Sequence, residues 1–138
     1  MNVHMNGENG GPFIYDASAI LALLLGETGF DQMERMLRQA PGIISTVNYC
    51  EVLAKCQEIG IRVAECDILL AKLPLTIVDS NREMARYAAA LRPSTKHIGL
   101  SLGDRFCIAC AFCYRGSAVT ADQCWKVIKA GVPVICIR

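Results

Sequence analysis

Five short apolar runs punctuate this chain, at Pro12–Tyr15, Ile43–Ser45, Leu75–Val78, Ala118–Thr120 and Val132–Ile137, and helix-like segments separate them. Between the runs, apolar residues recur every three or four positions, the period of an α-helix, whereas the runs are too short for helices. Parallel strands need a long crossover between them, and a helix is the usual one. The alternation therefore predicts an α/β fold: a mostly parallel sheet with helices on both faces.

The helical segments have readable ends. Ala19–Leu25 stops at Gly26, and Thr28–Gln39 carries Phe30, Met33, Met36 and Leu37 on one stripe before Pro41-Gly42 breaks it. Thr46–Glu58 should bury Tyr49, Val52, Leu53 and Cys56 and leave Asn48, Glu51, Lys55 and Glu58 as a polar stripe. Arg62–Lys72 places Cys66, Leu69, Leu70 and Leu73 in register, and Asn81–Leu91 does the same with Met84, Tyr87, Ala88 and Leu91. Arg92-Pro93-Ser94 ends that helix, and Ser94–Leu100 reads as a loop carrying Lys96 and His97. Ser101 and Asp104 form a capping box for the next helix, whose Phe106, Ala109, Cys110 and Cys113 should pack on the sheet. A last helix is expected from Asp122 to Ala130.

With 138 residues the chain has room for one core, which we place at residues 12–138 after a polar, glycine-rich tail, Met1–Gly11, expected to be disordered. The longest apolar run, Ala17–Leu25, is too short to cross a bilayer, and no charged segment followed by an apolar one opens the chain. A soluble, cytoplasmic protein is expected. The net charge of +1 supplies no global field for nucleic acid, so any such binding depends on local cations. Eight cysteines sit at apolar positions of helix and strand patterns, which favours reduced core thiols over disulfides. The spacing Cys107-x-x-Cys110-x-x-Cys113 resembles part of an iron–sulfur motif, but one helix side cannot wrap a cluster.

Asp16 and Asp122 each follow a strand, Glu51 lies near the start of a helix that follows a strand, and Asp104 opens a helix. Each has an ordinary reading: Asp16 or Ser18 as an N-cap, Glu51 as a solvated side chain, Asp104 as a capping acid. In a doubly wound sheet all four nevertheless belong at the rim formed by the carboxyl ends of the strands. Gathered carboxylates repel unless a cation neutralises them, and oxygen ligands suit Mg²⁺ or Mn²⁺. The chemistry that follows is phosphodiester hydrolysis.

The segments Phe13-Ile-Tyr-Asp16-Ala-Ser18, Ser45-Thr-Val-Asn-Tyr-Cys-Glu51, Ser101-Leu-Gly-Asp104 and Thr120-Ala-Asp122-Gln-Cys-Trp125 together resemble the PIN domain, most closely the VapC-type toxins, over about residues 12–137. That resemblance implies a PIN-like three-layer fold with a five-stranded parallel sheet flanked by helices. It also implies an endoribonuclease dependent on Mg²⁺ or Mn²⁺, active on structured RNA and paired with a cognate antitoxin, and a homodimer. Asp16, Glu51, Asp104 and Asp122 match the family's catalytic and metal-holding quartet; Thr120 matches a frequent orienting hydroxyl, and Asn48 is a candidate partner for the acids. Gln123 and Cys124 stand where some members carry a further acid or Asn.

Lys55, Lys96, His97, Arg105 and Lys126 lie on segments that reach the rim and are candidates for holding an RNA backbone. A receiver domain would need an acidic pair after the first strand and a lysine at the end of the last, where Cys136-Ile-Arg138 stands. An aspartate-nucleophile phosphatase would want an acid where Ser18 sits, and phosphate-binding glycine motifs are absent. The remaining alternative is a non-catalytic PIN-like RNA-binding or scaffold module.

Overall fold

The computed structural model describes residues 10–123, 125 and 131–138. The expected tail, apart from Gly10 and Gly11, lies outside the described residues, as do Lys126 and most of the expected helix between Asp122 and Ala130.

Strands β1 (Phe13–Tyr15), β2 (Gly42–Ser45), β3 (Leu75–Val78), β4 (Ser117–Thr120) and β5 (Val134–Cys136) form one sheet in the order β3-β2-β1-β4-β5. Every pairing is parallel, with Ile14 of β1 opposite Ile43 on one side and Ala118 on the other. Helices α1 (Ala17–Leu25), α2 (Phe30–Gln39), α3 (Thr46–Glu58), α4 (Val63–Ala71), α5 (Arg82–Ala90), α6 (Arg92–Thr95) and α7 (Leu102–Cys113) make the crossovers. This is the three-layer α/β fold expected from the alternation.

The two-residue period of the strands divides the core. Phe13, Tyr15, Ile44 and Val119 join Ile20, Met33, Val52 and Cys56 from α1, α2 and α3 on one face. Ile14, Ala118, Ile43 and Val134 face Met84 and Ala88 of α5 and the apolar body of α7 on the other. Each central strand thus feeds both layers, which explains why its residues are apolar without alternation. No helix among the described residues is long and apolar enough to cross a membrane.

Three local expectations need correction. The segment read as a loop from Ser94 contains the end of α6 and a short 3-10 turn, Lys96–Ile98. Pro93 ends α5 yet sits in the first turn of α6, where a missing N–H costs nothing, and the Thr95 hydroxyl donates to the Leu91 carbonyl at 2.7 Å. In α7 the stripe of Phe106, Ala109, Cys110 and Cys113 does not select the sheet side. Cys107, Ile108, Ala109, Cys110 and Ala111 are all buried, because α7 is packed between the sheet, α3 and α5. The Cys107 thiol approaches the Ile14 carbonyl, whereas Phe112 stacks on Tyr87 of α5 with ring centroids 4.2 Å apart. Finally, Leu69 and Cys50 are exposed rather than inward.

Candidate active site

Asp16 is the most confined of the four acids. Its backbone N–H extends the β1 ladder by donating to Val119, and the chain turns there into α1 with Asp16 as N-cap, Oδ1 accepting from the Ala19 N–H at 2.8 Å. The Thr120 hydroxyl at the end of β4 donates to Oδ2 at 2.6 Å, and Ser18 Oγ lies 2.8 and 2.9 Å from the two carboxylate oxygens. Both hydroxyls also accept main-chain protons: Thr120 Oγ1 from Asp122 N at 3.0 Å, Ser18 Oγ from Ala121 N at 2.9 Å. Asp16 is thereby coupled to the turn that carries Asp122. With 3% of its surface exposed, Asp16 has its pKa pushed up to about 6 by burial, against the pull of Thr120, Ala19 and Ser18 and with a further push from Asp104.

Glu51 hangs from the second turn of α3, a helix capped by Ser45 at the end of β2. The Asn48 side chain is wholly buried and makes three hydrogen bonds. Its Oδ1 accepts from Ser45 Oγ at 2.9 Å, while Nδ2 donates to Glu51 Oε1 at 2.8 Å and to the Gly103 carbonyl at 3.0 Å. One amide thus ties α3 to the first turn of α7 and points the carboxylate. Burial raises the Glu51 pKa, opposed by the Asn48 bond and assisted by the Asp104 charge.

Asp104 closes the expected capping box: the Ser101 N–H donates to Oδ2 at 2.9 Å and the Asp104 N–H donates to Ser101 Oγ at 3.1 Å. Burial raises its pKa, the Ser101 bonds lower it, Asp122 raises it and Arg105 lowers it. The Asp104 charge thus adds a small upward push at Asp16 and Glu51, and Asp104 in turn feels Asp122.

All four acids border one cavity of 470 Å³, together with Ser18 and Lys55. Lys55 is exposed and paired with Glu58 at 3.5 Å. Lys96 and His97 are exposed on the 3-10 turn before α7 and do not line the cavity. Arg105 is engaged elsewhere, its Nη1 donating to the Ala88 carbonyl of α5 at 3.0 Å. Among the described residues no group of three or more His, Cys, Asp or Glu side chains is placed close enough together to hold a metal ion.

Ser18 is the contributor that sequence reasoning missed. The Asp-x-Ser spacing at a strand-to-helix junction was a usable signal, but it reads equally as a choice between two caps. The contact with Ala121, a tertiary bond, gives Ser18 its role.

The PIN-domain family model matches residues 13–130. No curated protein matches the chain in sequence. Among solved structures, a toxin–antitoxin complex from Klebsiella pneumoniae is similar at a TM-score of 0.69 and 20% identity, covering 91% of this chain and 97% of that one. VapBC2 from Rickettsia felis, solved bound to a DNA fragment from its promoter, aligns at a TM-score of 0.67 and 17% identity over 88% and 96% of the two chains. Mycobacterium tuberculosis VapC20, described as a toxin that cleaves the sarcin–ricin loop, aligns at 0.66 and 16% identity over 80% and 90%.

Proposed function

The chain belongs to the PIN-domain family, and from that premise we propose that it is an endoribonuclease dependent on Mg²⁺ or Mn²⁺ and the toxin of a toxin–antitoxin pair. The observation that carries this reading is the single cavity bordered by Asp16, Glu51, Asp104 and Asp122, which come from four separate segments of the chain.

The donor set fits a hard divalent cation. It is all oxygen, and it is acidic enough that burial and mutual repulsion raise the pKa values of Asp16, Glu51 and Asp104. When bound, such an ion supplies Lewis acidity at a phosphate oxygen and lowers the pKa of water. The chain's own residues do the positioning. Thr120 and Ser18 fix the Asp16 carboxylate and favour its ionised form; Asn48 fixes Glu51; Ser101 fixes Asp104. Lys55, on the cavity wall, offers a cation for a flanking phosphate.

Structured RNA is the proposed substrate; the similar Mycobacterium toxin is described as cleaving the sarcin–ricin loop. An antitoxin partner is proposed by likeness to the Klebsiella and Rickettsia complexes. We further propose a homodimer, in which the exposed apolar residues Ile59, just after α3, and Val63, Ile68 and Leu69 of α4 make self-association favourable.

Single-turnover cleavage of a structured RNA, with and without Mg²⁺ or Mn²⁺, tests the proposal. Cleavage should require the cation and fall by orders of magnitude in Asp104→Asn, which keeps an acceptor oxygen for the Ser101 cap. Near-normal cleavage by Asp104→Asn, or cleavage in a chelator, would sink the reading.

A further inference from the structure

Gly103 stands at the second helical position of α7 and is buried. It has no conformational reason to be glycine, because its φ is not among the positive values found at other glycines of the chain. Within a helix, glycine is less favourable than alanine, since it loses more backbone entropy and adds no packing. A buried glycine at such a place implies a close neighbour. A Cβ built on Gly103 would land on the Glu51 carboxylate, overlapping its carbon and both oxygens. Those three atoms are its nearest neighbours, so the space a side chain lacks is the space that Glu51 fills.

The surroundings say what would follow if that space were taken. Glu51 also borders a second cavity, of 430 Å³, whose wall includes Thr46, Cys50, Ser101 and Leu102 and none of the other three acids. Glu51 thus borders both volumes, and Asn48 Nδ2 donates both to its Oε1 and to the Gly103 carbonyl.

We infer that Gly103 is a positioning residue for Glu51: the missing side chain lets the carboxylate lie against the first turn of α7, within the electrostatic reach of Asp104, instead of in the neighbouring cavity. The inference rests on the proposed reading of the four acids as the working site.

The test compares wild type, Gly103→Ala, Glu51→Asp and the double variant by metal-free melting, by calorimetric titration with Mn²⁺ alone and by RNA cleavage. Gly103→Ala should melt at or above the wild-type temperature, because alanine suits the helix better, yet bind Mn²⁺ at least tenfold more weakly and cleave correspondingly less. A shorter carboxylate clears the added Cβ, so on the Glu51→Asp background the same alanine should weaken Mn²⁺ binding by less than threefold. Wild-type Mn²⁺ affinity in Gly103→Ala, a fully additive loss in the double variant, or a lower metal-free melting temperature each overturns the inference while leaving the four-acid reading in place. A wild type that binds no Mn²⁺ overturns both.

Discussion

Replacing Asp16 by Asn should stabilise the metal-free protein at neutral pH, and the size of the gain follows from its surroundings. An unfolded chain exposes this carboxyl to water at its ordinary pKa of 3.8, whereas burial moves it to about 6 in the fold. A raised acid pKa means that the folded state holds the proton more tightly, so stability falls as pH rises from about 4 to about 6 and stays low above that. At about 1.36 kcal/mol for each tenfold change in proton affinity, the ionised folded state forfeits about 3 kcal/mol at pH 7.5. Asparagine removes that penalty and keeps an oxygen for Ala19 and Ser18, but it offers an N–H where the Thr120 hydroxyl now donates. That mismatch costs about 1 kcal/mol. The net expectation is a gain of about 2 kcal/mol at pH 7.5, or roughly 6 °C in Tm for a domain of this size. Below pH 4 the sign should reverse, with Asn less stable by about 1 kcal/mol. Urea denaturation of both proteins in chelator at pH 7.5 and 3.5 measures the difference, and millimolar Mn²⁺ should raise the wild-type Tm much more than that of the variant. A destabilised Asp16→Asn at pH 7.5, or a difference independent of pH, would refute the reasoning.

Thr120→Val keeps the shape of the side chain but removes the donor to Asp16 Oδ2 and the acceptor for Asp122 N. It should lower stability by about 2 kcal/mol at pH 7.5 and by less at pH 4, since the lost bond is to a charge only when Asp16 is ionised; urea melts at the two values check this. Arg105→Met should act on the fold more than on substrate, because Nη1 of the guanidinium donates to the Ala88 carbonyl of α5; a loss of about 1 kcal/mol with unchanged RNA affinity is expected, and an intact melt with weakened binding would reverse the assignment. Lys55→Glu, on the cavity wall, should weaken RNA binding and reduce the slope of log affinity against log salt by about 1 to 2; an equal slope would show that the strand passes elsewhere. Light scattering at micromolar concentration should return the mass of a dimer, and a monomer mass throughout would remove the proposal of self-association.

The fold was legible because its signals are local. Each strand announces itself as a short apolar run, each helix as a period, and parallel topology then follows from crossover length. What could not be read was the side of a helix that meets the sheet when the helix is buried nearly all round. In α7 the period offers Phe106, Ala109, Cys110 and Cys113, yet Cys107, Ile108 and Ala111 are equally enclosed, because sheet, α3 and α5 each claim a side. The short helix that starts around Pro93 was hidden for a related reason. The same ring that ends one helix is at home in the first turn of the next, and only the path of the chain decides whether a next one begins.

The site divides along the same line. That Asp16 and Asp122 border one cavity was inferable from strand ends alone, since a parallel sheet delivers all of them to one rim. The hydroxyls that bind these acids together were legible only in part, because Ser18 meets Ala121 through tertiary contact and not through spacing. Asp104 shows why two readings of one residue need not compete. The capping box engages Oδ2 through the Ser101 N–H, while the carboxylate as a whole borders the cavity and raises the pKa values of Asp16 and Glu51. The cap fixes the side chain at the helix start, where the macrodipole favours its charge. A structural role at one oxygen thus leaves the rest of the carboxylate facing the rim, so the cap and the role proposed for Asp104 at the site are compatible.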